Sequence, residues 1–131
     1  MKFRQHCILA LITIIGWLSF YLVGIPSNYF QEWSLSEQIL LSIIGFFSII
    51  PFLAFIVIIL INNNFIRTGI WFAFYASIPL AILDYIMIGI IKGEGLYIFI
   101  SHWYPTIAYI YAWIIGPLMG YTLHKLKFKI N

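Results

Sequence analysis

Four long apolar runs, divided by short polar stretches, occupy most of the chain: residues 7–25, 39–61, 70–91 and 106–123. With their capping residues included, the second and fourth become 35–61 and 105–123. About 20 apolar residues at 1.5 Å rise cross a hydrocarbon core of roughly 30 Å, so each run is long enough to be a transmembrane helix. The pattern predicts an all-α membrane protein, an antiparallel four-helix transmembrane bundle, as a single transmembrane domain over residues 1–131. The connections are too short to hold a second unit.

The polar punctuation refines that picture. Pro26 stops the first run, and Tyr29, Phe30 and Trp33 are rings of the kind that settle at a membrane interface. Ser34-Leu35-Ser36-Glu37 reads as a capping box, the Ser34 hydroxyl accepting from the Glu37 amide and the carboxylate returning to the Ser34 amide. The second helix should therefore begin near Leu35. The polar loop from Asn62 to Gly69 makes the second and third helices antiparallel neighbours. After Lys92-Gly93-Glu94-Gly95, the segment Leu96 to Pro105 is apolar and aromatic but too short to span. It reads as an outer interfacial segment between helices 3 and 4, with Pro105 in the first turn of the last helix. Pro51, Pro79 and Pro117 fall inside the runs, and each leaves the carbonyl one turn earlier without its amide partner. Ser48–Ala54 loosely echoes Ser77–Ala81, a match too short to define a repeat.

Composition narrows the function classes. The hydrophobic fraction is 63%, against roughly 45–50% in soluble domains, and leaves no room for a soluble catalytic domain. The lone Cys7 excludes an intramolecular disulfide or a dithiol relay. A net charge of +3 would permit nucleic acid as a partner, but the distribution of the charges argues for the lipid bilayer instead. Lys2, Arg4, Arg67, Lys125, Lys127 and Lys129 share one side of four crossings, while Lys92, Glu32, Glu37 and Glu94 share the other. That is the positive-inside bias. It predicts a multi-pass protein of the cytoplasmic (inner) membrane with both termini cytoplasmic, its basic tail beside anionic headgroups. The first run is longer than a signal-peptide core and lacks a small-x-small cleavage site, so it is expected to remain as a span.

Candidate chemistry is sparse. Small residues at i, i+4 spacing let helix backbones approach in lipid. Helix 4 offers Ala108, Ala112, Gly116 and Gly120, and helix 3 offers Ala73, Ser77 and Ala81; the two stripes are expected to meet. Asp84 continues the helix 3 face and is the single carboxylate inside the apolar runs. A charged side chain at the bilayer centre costs about 2.5–3.5 kcal/mol on insertion scales, so an intramembrane acid is a functional candidate. At its depth the other helices supply Trp17, Ser19, Tyr21, Ser42, Tyr109, Tyr111 and Trp113 as candidate partners, with no cation among them. A neutral, hydrogen-bonded acid is the expected state. Glu94, His102 and Trp103 are the candidates for contacts at the outer face. His6 and His124 lie at the inner boundary without a carboxylate to orient them, so no metal or cofactor is expected. No nucleophile elbow, zinc-binding His pair or phosphate loop occurs. An enzyme acting on lipid would have only Glu94 and His102 as an acid–base pair. These features favour a non-enzymatic interaction or accessory module, immunity-type or a complex subunit, bound to another membrane protein or to itself as a homo-oligomer. The alternative is a small oligomeric transporter in which Asp84 couples a proton or a cation.

Overall fold

The computed structural model describes residues 2–27, 30–61 and 64–130, without the side chains of 27 and 127–130. The expectations placed on Tyr29, Asn62, Asn63 and the Lys127 and Lys129 side chains lie outside these. Among the described residues there are helices and turns and no strand. Four helices are long and apolar enough to cross a membrane. They are α1 (Phe3–Gly24), α2 (Leu35–Ile61), α3 (Phe65–Ile90) and α4 (Trp103–Ile130).

Local sequence explains where they begin. Ser34 caps α2, its hydroxyl accepting from the Glu37 amide at 3.3 Å. The return arm of the expected box differs: the Glu37 carboxylate meets the Ser34 hydroxyl at 3.1 Å instead of the backbone amide. Asn64 caps α3 through its side-chain oxygen, 3.2 Å from the Arg67 amide. Helix α4 starts at Trp103, earlier than Pro105, because proline in a first turn forfeits no helical bond.

The helices alternate in direction, as contacts at each end require. At one end the Gln5 amide donates to the Ile61 carbonyl at 2.7 Å, and the His6 ring meets the Tyr75 hydroxyl at 3.1 Å. At the other, Trp103 on α4 donates to Gln38 on α2 at 3.1 Å. The closest pairing is α3 with α4. A Cβ added to Gly69 or Gly120 would collide with the Gly116 or Phe65 carbonyl, and one on Gly116 would lie 3.0 Å from the Ala73 Cβ. Ala108 and Ala112 are buried along the same helix. Such backbone proximity supplies the dispersion contacts that hold two helices together.

Two of the helices are irregular inside. In α2, Ser42–Ser48 is wound as a π-helix just ahead of Pro51. Pro51 brings no amide hydrogen to the Phe47 carbonyl, and the Tyr111 hydroxyl of α4 donates to it at 3.2 Å. In α3 the helix breaks at Ala76–Ser77, where Ser77 takes φ −128 and ψ −71 and Pro79 opens a new first turn. The break resets the rotation of the second half of α3. Ala81 departs from the expected stripe and lines a shallow depression with Ile78, Ile82, Tyr85 and Phe99, while Leu80, Ile88 and Gly89 are buried in this half.

The segment after α3 also departs from expectation. A 3-10 turn at Gly95–Tyr97 and a helical turn at Ile98–Ser101 fold back over the end of the bundle. Leu96, Tyr97 and Ile100 are exposed, but Ile98 and His102 are buried beneath them. Phe30, expected at an interface, is likewise buried, with a positive φ of 67. Its carbonyl accepts from the buried Gln38 side chain at 2.8 Å, and its ring packs edge-on to Trp33 and Tyr104. Two apolar clusters result, one around Leu9, Ile58, Phe72 and Leu123, the other around Ile88 and Ile98.

Candidate functional site

A partly open cavity of about 270 Å³ lies among the four helices. Helix α1 contributes Thr13, Gly16, Trp17 and Phe20; α2 contributes Gly45, Phe46 and Leu53. Leu80, Asp84 and Ile88 enter from α3, and Ala108 and Tyr109 from α4. The end at which α4 begins is bounded by Phe30, His102 and Tyr104. The lining is mostly apolar, and Asp84 is the one carboxylate among the described residues that form it.

Asp84 stands at the end of the short helix that restarts after the break at Ser77. Leu80, Asp84 and Ile88 follow one another at i+4 on the restarted helix and share a face. The backbone changes again directly after Asp84, with Tyr85–Ile90 wound as a π-helix. Such segments recur at functional sites because they re-aim side chains within a helix.

Both carboxyl oxygens are engaged. The Trp17 indole donates to Oδ1 at 2.6 Å, and the Tyr109 hydroxyl donates to Oδ2 in a short hydrogen bond. Asp84 thus ties α3 to α1 and α4 at once. Trp17 is itself stacked on Tyr21, with ring centroids 5.1 Å apart and planes 20° apart. Both donors are neutral, and among the described residues no cation pairs with Asp84. Indole is a donor only, whereas a phenol both donates and accepts. The site therefore has two self-consistent forms. In one, an ionised carboxylate accepts from both rings; in the other, a neutral acid donates to Tyr109 and still accepts from Trp17.

The remaining candidate partners are occupied elsewhere. Ser19 donates to the Ile15 carbonyl, Ser42 to Gln38 and Tyr111 to Phe47. Trp113 lies on an exposed face. Ser19 lines the cavity with Asp84 but does not reach the acid.

At the end where α4 begins, His102 Nδ1 lies 3.0 Å from the Ser101 hydroxyl and 3.9 Å from the Glu94 carboxylate. Burial pushes the imidazole below its ordinary value of 6.5; Glu94 opposes this and Lys92 adds to it. Trp103, foreseen as an outer contact, is instead bonded inward to Gln38. Gln31 ties the lid to the bundle, reaching the Ser101 carbonyl at 2.9 Å and the Tyr104 hydroxyl at 3.2 Å. The sequence pattern alone did not single out Gln31 and Gln38. Their signal was chemical: amides beside apolar runs, with several hydrogen-bonding positions to satisfy once buried. Gly69, assigned from sequence to the polar loop, lies buried inside α3, four residues before Ala73, and extends its stripe.

At the end where α1 begins, His6 packs edge-on against Trp71 at 4.4 Å and bonds Tyr75. Among the described residues no three His, Cys, Asp or Glu side chains come together. No protein-family model matches this sequence, and comparison with curated proteins and with solved structures finds no match either.

Proposed function

We propose that this chain is a multi-pass protein of the cytoplasmic membrane that takes a small, largely apolar molecule into the cavity and holds it beside Asp84. One observation carries the proposal: an acid among apolar walls, fixed by two aromatic donors and lining a space of about 270 Å³. Ligand sites are typically concave and apolar, with a few placed polar groups that set orientation. The membrane setting is supported by the apolar outer surface of the bundle. Phe52, Leu60, Ile91 and Leu118 are all more than half exposed, a coat suited to lipid. Charge supports the orientation. Lys2, Arg4, Arg67 and Lys125 belong to the end where α1 begins and α4 finishes, and Glu32, Glu37 and Glu94 to the other. Both termini then lie on the cytoplasmic side.

Gly16 provides the test. It lines the cavity, and a Cβ added there meets nothing within 4 Å. Gly16→Leu should fill the space without disturbing the walls. Calorimetric titration with 1-naphthalenemethanol in phosphatidylcholine nanodiscs should give saturable binding to the wild type and none to Gly16→Leu. Equal binding by both, or none by either, would defeat the proposal.

A second reading, an accessory module bound to another membrane protein, is favoured by the outer surface. Leu96, Tyr97 and Ile100 stand exposed together on the segment that closes the bundle. Purification in mild detergent from native membranes distinguishes the two. A stoichiometric partner that is lost on Leu96→Ser and Ile100→Ser would favour the accessory role.

A further inference from the structure

The cavity holds more information about its ligand than size. An engineered apolar cavity of about 150 Å³ accepts benzene. The space here, about 270 Å³, is a little under twice that, which matches two fused rings or an equivalent aliphatic body of roughly a dozen heavy atoms. Its polar side is one-signed. Asp84 is the carboxylate of the lining, no Lys or Arg among the described residues lines the space, and His102 at the outer end is kept neutral by burial. A carboxylate offers about four acceptor positions. Trp17 and Tyr109 take one on each oxygen, so roughly two are left for another donor.

We infer that the ligand is a lipophilic monocation, a protonated amine on an apolar body of about two rings, whose ammonium pairs with Asp84 beside the faces of Trp17 and Tyr21. This deepens the function proposed above and rests on it. Three features converge on a cation. A buried charge is tolerable when it meets an opposite charge together with hydrogen bonds that satisfy the remaining positions. Asp84 is held with both oxygens fixed by donors on two other helices, so pairing needs little reorganisation. Trp17 and Tyr21 also line the cavity, and aromatic rings attract cations most strongly where water is excluded. An anion would meet Asp84 with repulsion, and a neutral guest would leave an ionised Asp84 without a counter-charge. The cation selects the ionised form in which both rings donate.

The experiment compares two probes of one shape. 1-Naphthylmethylamine and 1-naphthalenemethanol differ in an ammonium against a hydroxyl and are titrated calorimetrically into the full chain in phosphatidylcholine nanodiscs near neutral pH. Hydrogen bonds to charged groups are worth about 1.5–3 kcal/mol, so the amine should bind the wild type about tenfold to hundredfold more tightly. In Asp84→Asn the amine should lose that advantage while the alcohol keeps its affinity, since Tyr109 can turn its hydroxyl to accept from the new amide. An equal affinity for both probes in the wild type would overturn the cation assignment alone. Survival of the advantage in Asp84→Asn would also overturn it, placing the preference elsewhere. Failure of both probes to bind the wild type would remove the cavity function and this inference together. If Asp84→Asn does not fold, Gly16→Leu replaces it: the advantage must vanish with binding, and an amine still bound there would lie outside the cavity and sink the assignment.

Discussion

Gly69, Gly116 and Gly120 stand where a single methyl group has no room, because each faces backbone across the α3–α4 contact. Backbone cannot swing aside as a side-chain tip can, so overpacking there forces the helices apart at a cost of about 1–3 kcal/mol. Gly69→Ala and Gly120→Ala should each lower the unfolding midpoint in detergent, whereas Gly16→Ala, facing open space, should leave it unchanged or raise it slightly. A neutral Gly69→Ala would show that the two helices are not in backbone contact. His102 gives a second test at this scale. It is packed with Glu94, Lys92, Ser101 and Tyr104, and burial holds its imidazole neutral where an unfolded chain would take a proton. With the folded value below 6.5, this stability is complete above about 6.5 and is lost as pH falls through that value toward the folded one. Unfolding midpoints should therefore drop between about pH 7.5 and pH 5, and less steeply in His102→Gln. An identical slope in the variant would remove His102 from the account.

At the scale of elements, the prolines and the irregular turns they accompany shape the interior. Pro51 deprives the Phe47 carbonyl of an amide, and α4 makes up the loss through Tyr111. Membrane helices tolerate proline when a neighbour satisfies the exposed backbone in this way. Tyr111→Phe should then destabilise by about 0.6 kcal/mol, a typical value for an interhelical hydrogen bond in lipid. In a Pro51→Ala background, where residue 51 regains an amide hydrogen, the same change should cost less. Additive effects in this double-mutant cycle would argue that the Tyr111 bond does not serve the proline. The break at Ser77 has the larger consequence. Beyond it, Ala81 lines the shallow depression with Ile82 and Tyr85, while Leu80 and Asp84 line the cavity.

For the whole molecule, the alternation of four helices brings the basic residues to one end and the acidic loops to the other, and this makes topology testable. A reporter fused in the loop between Ile61 and Phe65 should register cytoplasm, and one fused at Lys92–Gly95 should register the opposite side. The reverse pattern would invert the orientation while leaving the bundle intact. The hydrogen bonds among Gln31, Gln38, Ser101 and Trp103 join segments far apart in sequence, so they form only once the bundle has assembled.

Four long helices, their apolar outer coat, the Ser34 cap of α2 and the acid at position 84 were all written in the chain, because each depends on local composition or on spacing along one helix. The pairing of Ala73 with the glycines of α4 was legible for the same reason, as i+4 rows of small residues are a one-dimensional signal. Which two of seven polar neighbours reach Asp84 was not legible. Depth along a helix is set by residue count, but direction around it depends on rotation, and the break at Ser77 and the π-helical turns change that rotation without a mark in the hydropathy. Phe30, Ile98 and His102 resembled interfacial residues because their neighbours in sequence are polar or exposed. Their burial comes from segments that meet only when the chain folds back over its own end, and that meeting, with the cavity beneath it, belongs to the tertiary structure alone.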